Sequence, residues 1–298
     1  MASNIPLLMI SHGESLEKHS IYDMSEKLLR KLDIPTLRGK KVLGSSYGWL
    51  ILVEPIDSED DYDSNCCLFN PTTNDIIELP NLIDWIDYNQ CILTKPPTEP
   101  DCYVFFSGLE QSFCRIGDKE YVTRTEEQQY EEEQENGCLG YEHLFAIGSF
   151  QGQIYGYMDP DKFVAIHIVG NTIEFSQIPM AEHWVIPYSS EDGFIYDIWL
   201  IESAQSDGEP LIVQKVVNVD DDREELVDFK VFRFDINEME CTELNNIEPN
   251  SIYYTNKVDN NLYIFDLEDR STSSILQFDD DVAANKPIMT CWIENQIF

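Results

Sequence analysis

The 298 residues are enough to bury a sizeable core as one large domain or two ordinary ones. With 43% hydrophobic and 12% aromatic residues the chain is too apolar for disorder, yet no apolar run approaches the roughly 18 residues that span a bilayer, so a soluble folded protein is expected. Nineteen basic against 56 acidic side chains give a formal charge of −37, which repels a phosphate backbone and argues against ordinary DNA or RNA binding.

The N-terminal Pro6-Leu-Leu-Met-Ile10 is apolar but short, with no basic residue before it, so it does not read as a secretory signal. Eight cysteines (Cys66, Cys67, Cys91, Cys102, Cys114, Cys138, Cys241, Cys291) are scattered without Cys-x-x-Cys spacing. This distribution, together with the lack of any Asn-x-Ser/Thr acceptor, points to a reducing compartment, the cytoplasm or nucleus. Cys66 and Cys67 fall in an expected strand, where neighbours point to opposite faces, so they read as small buried hydrophobes and not as joint metal ligands.

Seven alanines against abundant Ile, Val, Thr, Tyr and Phe favour strands over helices. Four expected strands lie within about forty residues: Lys41–Gly44, Gly48–Val53, Cys66–Phe69 and Asp75–Leu79. A second set occupies Glu142–Ile147, Gln153–Tyr157, Phe163–Ile168 and Thr172–Phe175. The second hairpin of each set is the most repeat-like element, running Leu68–Pro80, Ile166–Phe175, Val231–Leu244 and Tyr263–Leu276. Four-stranded units of about 40 to 50 residues build a β-propeller, because each twisted sheet buries its faces against its neighbours. An all-β propeller of about six blades is expected, with five or seven also compatible, as one domain over residues 1–298. Its ends should pair in one blade, through Pro6–Ile10 and Pro287–Ile293. Uneven spacing and the lack of a strict Trp-Asp or double-Gly signature leave a pair of β-sandwiches as the alternative. Two acidic stretches, near 125–136 and 219–225, are expected to form solvated mobile loops or short helices.

Charge is unevenly spread. Residues 1–41 carry a net +2 and everything after them −39. The single basic cluster, Lys27, Arg30, Lys31, Arg38, Lys40 and Lys41, reads first as a partner for the acidic remainder and second as an edge where an acidic protein docks.

Few motifs carry chemistry. Gly44-Ser-Ser-Tyr-Gly48 matches the nucleophile-elbow pattern around Ser46, but Trp49–Val53 after it reads as a strand where that elbow needs a helix, so a hairpin turn is expected. His12, His19, His143, His167 and His183 lack zinc-site spacing. The acidic runs Asp57–Asp63, Asp220–Asp222 and Asp279–Asp281 lack the calcium-loop pattern, so only weak, nonspecific divalent-ion binding is expected of them. No phosphate-binding glycine motif occurs, and neither a cofactor, a metal site nor a catalytic residue is assigned. Trp49, Trp85, Trp184, Trp199 and Trp292 lie on or beside expected strands and read as packing residues.

Taken together, Pro6–Ile10, Leu43–Val53, Leu68–Pro80, Phe150–Tyr155, Leu200–Ser203, Phe229–Asp235, Asn250–Tyr254 and Cys291–Ile293 resemble, in order, the plant KIB-type propeller domain. That domain, long catalogued as one of unknown function, is usually attached to an F-box. The resemblance implies a substrate-recruiting propeller, attached through the F-box to the Skp1-type adaptor of a cullin ubiquitin ligase; some members restrain GSK3-like kinases. No Leu-Pro-rich helical segment of about forty residues precedes Pro6, so neither an F-box nor Skp1-type adaptor binding is expected of this sequence. The expected role is a noncatalytic protein-protein interaction module. Two alternatives stay open: an enzyme, hydrolase or lyase, using an acidic site in the propeller channel, and a truncated ubiquitin-ligase substrate receptor.

Overall fold

The computed structural model describes residues 7–12, 18–54, 63–83, 88–108, 110–125, 128, 144–158, 162–178, 194–202, 210–220, 223–238, 240–244, 251–255, 261–276 and 289–293. Packing divides the chain into two compact units, Met1–Thr125 with Phe278–Phe298, and Glu126–Gln277.

The first unit opens with β1 (Leu7–His12), β2 (Lys18–Asp23) and β3 (Leu28–Leu32), followed by a single 3-10 turn at Pro35–Leu37. Next come β4 (Lys41–Ser46), β5 (Trp49–Val53), β6 (Asp63–Ser64), β7 (Cys66–Asn70), β8 (Asp75–Glu78) and β9 (Leu82–Ile83). The unit continues with β10 (Tyr88–Leu93), β11 (Tyr103–Gly108), β12 (Gln111–Arg115) and β13 (Val122–Arg124). The second unit holds β14 (Leu144–Phe150), β15 (Gln153–Met158), β16 (Lys162–Val169) and β17 (Thr172–Ile178) as one sheet. Its next sheet is β18 (Phe194–Glu202), β19 (Pro210–Asp220), β20 (Arg223–Asp235) and β21 (Glu240–Glu243). A three-stranded sheet follows: β22 (Ser251–Thr255), β23 (Leu262–Asp266) and β24 (Thr272–Leu276). The last strand, β25 (Met289–Ile293), belongs to the first unit and pairs antiparallel with β1, Leu8 opposite Trp292.

These are the six sheets of a β-propeller, with almost no helix among the described residues, and the β-sandwich alternative is not what the chain forms. The sheets of the first unit run β25-β1-β2-β3, β4-β5-β7-β8 and β10-β11-β12-β13, with β6 and β9 as a separate short ladder. Within each unit the first strands of successive sheets lie side by side: β25 beside β4 and β4 beside β10, then β14 beside β18.

Sheets buried on both faces explain the continuous apolar runs. All five residues of β5 are buried, Ile51 and Val53 toward the β10–β13 sheet and Leu50 and Leu52 toward the first. Cys66 and Cys67 divide in the same way, as expected for neighbours on a strand. In the second unit Ile212 and Phe232 pack toward the β14–β17 sheet, while Val213 and Val231 pack toward β23. Each such side chain contributes about 1.5–3 kcal/mol by leaving water, so these inter-sheet seams are the principal cohesive element.

The acidic stretch at 219–225 is a correction to the sequence reading. Val219 and Asp220 end β19, and Arg223 to Glu225 begin β20, with Val219 paired to Glu224 and Asp220 to Arg223. Strand pairing therefore runs into the charged segment, because like charge opposes close packing but leaves the backbone N–H and C=O groups free to pair. Nearly all of the acidic stretch at 125–136 lies outside the described residues.

Candidate partner-binding surface

The structure gives Ser46 a structural setting. It closes β4 opposite Trp49, and the two-residue turn between them, Tyr47-Gly48, has φ of 51° and 74°. Two left-handed residues in a row twist a hairpin to match its strands, which is why glycine stands second. The same device recurs in Gly148-Ser-Phe-Gln-Gly152, where Gln151 and Gly152 have φ of 50° and 84° between β14 and β15. The first glycine of each motif follows a bulge and faces the next sheet: Gly44 toward the Cys91 carbonyl, Gly148 toward that of Leu200. Among the described residues Ser46 makes no side-chain hydrogen bond to a histidine or carboxylate, so the elbow motif is a blade hairpin.

Among the described residues the histidines are not brought together. His19 is buried on β2; its Nε2 donates to the Leu37 carbonyl at 2.7 Å, which leaves Nδ1 to accept from the Ser11 hydroxyl at 3.0 Å. His12 Nε2 lies 3.3 Å from Ser20 Oγ, and His167, on β16, lies 2.7 Å from Ser176 Oγ. His143 and His183 lie outside the described residues, as do most of Asp57–Asp63, Asp221, Asp222 and all of Asp279–Asp281. Among the described residues no group of three or more His, Cys, Asp or Glu is placed to hold a metal ion. Trp49 is buried in β5 and Trp199 packs against the β20–β23 seam, whereas Trp85 and Trp184 lie outside the described residues.

A group of thiols does converge. Cys66, Cys91 and Cys114 surround the phenol of Tyr121, whose buried hydroxyl lies against the Cys66 and Cys114 thiols and whose ring stands edge-on to Phe106 at 5.5 Å. Burial pushes the Cys66 and Cys114 thiols up to about 12, and raises Cys91 and the Tyr121 phenol well above their ordinary values. Neutral thiols in an apolar seam are poor nucleophiles and good packing atoms.

Lys215, unremarked in the sequence, is 7% exposed, and its ammonium lies 3.6 Å from the Asp197 carboxylate, its partner on the neighbouring strand. Arg270, at φ 60° in the β23–β24 turn, donates to the Phe229 carbonyl at 2.9 Å and pairs with Asp228, fastening that turn to β20.

The basic cluster separates into distinct roles. Lys40 Nζ donates to Glu54 Oε1 at 2.8 Å, and Asn65 Nδ2 donates to Glu54 Oε2 at 2.6 Å. Burial opposes the charge on Lys40, but the bond to Glu54 together with the nearby Cys67 and Glu78 side chains outweighs it and leaves the amine's pKa raised. Lys41, on β4, is lowered by burial. Arg30 pairs with Glu26 and Arg38 with Asp33, both at the surface. Lys27 and Lys31 make no ion pair among the described residues. Lys31 lies on β3, the last strand of its sheet, where Leu28 and Leu29 are 48% and 43% exposed. The sequence reading noted these cations but not the exposed strand bearing them; the run Leu28-Leu-Arg-Lys-Leu32 after the Asp23 turn was the available signal.

Comparison with known proteins agrees with this architecture. Two curated proteins of Arabidopsis thaliana align with part of the chain. F-box protein At4g00893 is 33% identical over 103 residues, 32% of this chain and 24% of that protein. F-box protein At3g56470 is 29% identical over 98 residues, 33% of this chain and 24% of that protein. The matched region thus spans about a quarter of the length of these relatives. Among solved structures, a nidogen/laminin complex matches over 97% of this chain and 98% of that chain, with a TM-score of 0.46 and 10% identity. The N-terminal domain of Nup159 matches over 95% and 74%, with a TM-score of 0.33 and 9% identity. Neither structural likeness bears on function. A propeller domain with F-box protein homologues fits a protein-interaction module. A sequence model described as KIB1-4 beta-propeller matches residues 20–252, well over half of the chain, and with six sheets in place the chain belongs to that family.

Proposed function

We propose that the chain is a noncatalytic protein-binding propeller, residues 1–298 acting as one domain that holds a target protein on its surface. The observation that carries this reading is the family match over residues 20–252, supported by curated relatives that are F-box proteins. The side chains with nucleophilic potential also have packing or turn-forming roles: Ser46 in a hairpin, and Cys66 and Cys114 in an apolar seam. The proposed setting is the cytoplasm or nucleus, consistent with cysteines that serve as core atoms.

The test is affinity capture with the purified full chain from plant extract, then binary binding with the purified captured protein. GSK3-like kinases and targets of F-box proteins are the first candidates. A reproducible partner that binds directly supports the proposal. Repeated recovery of none, or turnover in a hydrolase and lyase panel that one point substitution abolishes, overturns it.

A further inference from the structure

The last strands of the six sheets differ in charge. β8 carries Asp75 and Glu78, β21 carries Glu240 and Glu243, β17 carries Glu174, and β24 has no charge. β13 is three residues long, and its Arg124 donates to Gln111 at 2.9 Å. β3 alone among them carries two cations and no anion. It pairs with β2 along one edge, and among the described residues its other edge has no strand partner. Four of its five residues are exposed.

Unpaired edges are hazards that proteins guard with charge. In a chain of formal charge −37, acidic edges repel other copies of the chain, whereas cations attract them, so lysine and arginine are a poor guard here. The pattern fits attraction. Arg30 is already paired with Glu26, but Lys27, held at φ 51° where the turn enters β3, and Lys31 remain for an incoming anion. Strand alternation places Leu28 and Arg30 on one side of the sheet and Leu29 and Lys31 on the other, so an added strand meets an apolar and a cationic side chain on both faces.

We propose that the open edge of β3 receives an extended acidic segment of a partner protein by strand addition. Main-chain hydrogen bonds supply the docking, Lys27 and Lys31 select glutamate or aspartate, and Leu28 and Leu29 cover alternating apolar residues. The proposal rests on the protein-binding reading and adds the place and the chemistry of the partner.

The probe is a fluorescent ten-residue peptide alternating glutamate with valine, titrated into the full chain. Two comparison peptides replace glutamate by lysine, or alternate glutamate with proline so that charge is kept while strand pairing is blocked. The acidic peptide should bind saturably, protect amides within Leu28–Leu32 from hydrogen exchange, and bind at least tenfold more tightly than either comparison peptide. K27E/K31E should weaken it at least tenfold. K119E/K230E, which makes the same change in net charge at two other exposed lysines, should leave it within twofold. Equal binding of the proline peptide, no protection at β3, or equal loss in both variants overturns strand addition. So does self-association of the wild type that K27E/K31E abolishes, which would make a second copy the occupant. If a captured protein binds K27E/K31E as it binds wild type, the protein-binding reading stands and the β3 assignment falls.

Discussion

A β-carbon placed on Gly148 would lie 2.6 Å from the carbonyl oxygen of Leu200 and 2.8 Å from its Cβ. Adjacent first strands, β14 and β18, approach so closely there that only a residue without a side chain fits. Gly148→Ala must displace backbone, at a cost of about 1–3 kcal/mol. At the equivalent Gly44 the nearest atom, the Cys91 oxygen, is 3.4 Å away, so Gly44→Ala should cost less than about 1 kcal/mol. Urea unfolding of both variants checks this contrast, and equal losses would contradict the close approach.

Ser46→Ala should leave stability within about 0.5 kcal/mol of wild type and change no ester hydrolysis, since Ser46 only closes β4. Gly48→Val, by contrast, puts a branched side chain at φ +74° and should cost about 1–2 kcal/mol. A purified Ser46→Ala protein that loses an esterase activity present in wild type would restore the nucleophile reading.

The buried thiols predict both a labelling pattern and an alkaline limit. At pH 8 iodoacetamide should leave Cys66, Cys67, Cys91, Cys102, Cys114 and Cys241 unmodified in the native protein and label them after denaturation, as read by peptide mass spectrometry. Folding holds protons on Cys66, Cys114 and Cys241, whose pKa burial raises to about 12, while the unfolded chain releases them near the ordinary thiol value of about 8.5. Their contribution is therefore complete below about pH 8.5 and is lost as pH rises toward about 12. Rapid native labelling would contradict this packing.

Glu54 makes the opposite prediction. Hydrogen bonds from Asn65 and Lys40 hold its carboxyl below the ordinary value, so its contribution is present above about pH 4.3 and fades as pH falls through the lowered value. Glu54→Gln should cost about 0.5–1 kcal/mol at pH 7, and the difference from wild type should shrink in acid. A difference independent of pH would show that Glu54 acts without its charge.

Much of the propeller was legible because hydrophobic periodicity and turn chemistry coincide in it. Three of the four repeated second hairpins, and the β2–β3 hairpin with them, share a physical cause seen clearly only in the structure: a buried aromatic precedes an Asx residue whose carboxylate or amide oxygen accepts two backbone N–H groups. Tyr22-Asp23, Phe69-Asn70, Phe234-Asp235 and Phe265-Asp266 all do this. In the three turns where the residue four beyond the Asx is described, it is left-handed: Lys27, Asn74 and Arg270. The pairing of the chain ends was legible from their apolar runs. The third sheet was harder to read, because a bulge between Tyr88 and Gln90 breaks the alternation of β10. Pairing of Val219 and Asp220 with Glu224 and Arg223 was hidden by composition, since charge repels packing but not backbone hydrogen bonding. At the surface, the six cations of one cluster were visible as residues. Their division into Lys40 within an ion-pair network, Lys41 in a desolvated site and Lys31 on an open edge depends on contacts between distant segments.

The most direct measurement is calorimetric titration of the full chain with a purified captured partner, followed by intact mass spectrometry of both proteins. A binding propeller without chemistry predicts a saturable complex of fixed stoichiometry, with both masses unchanged after prolonged incubation. No saturable complex with any captured protein, or a partner whose mass changes only when this chain is present, would contradict it.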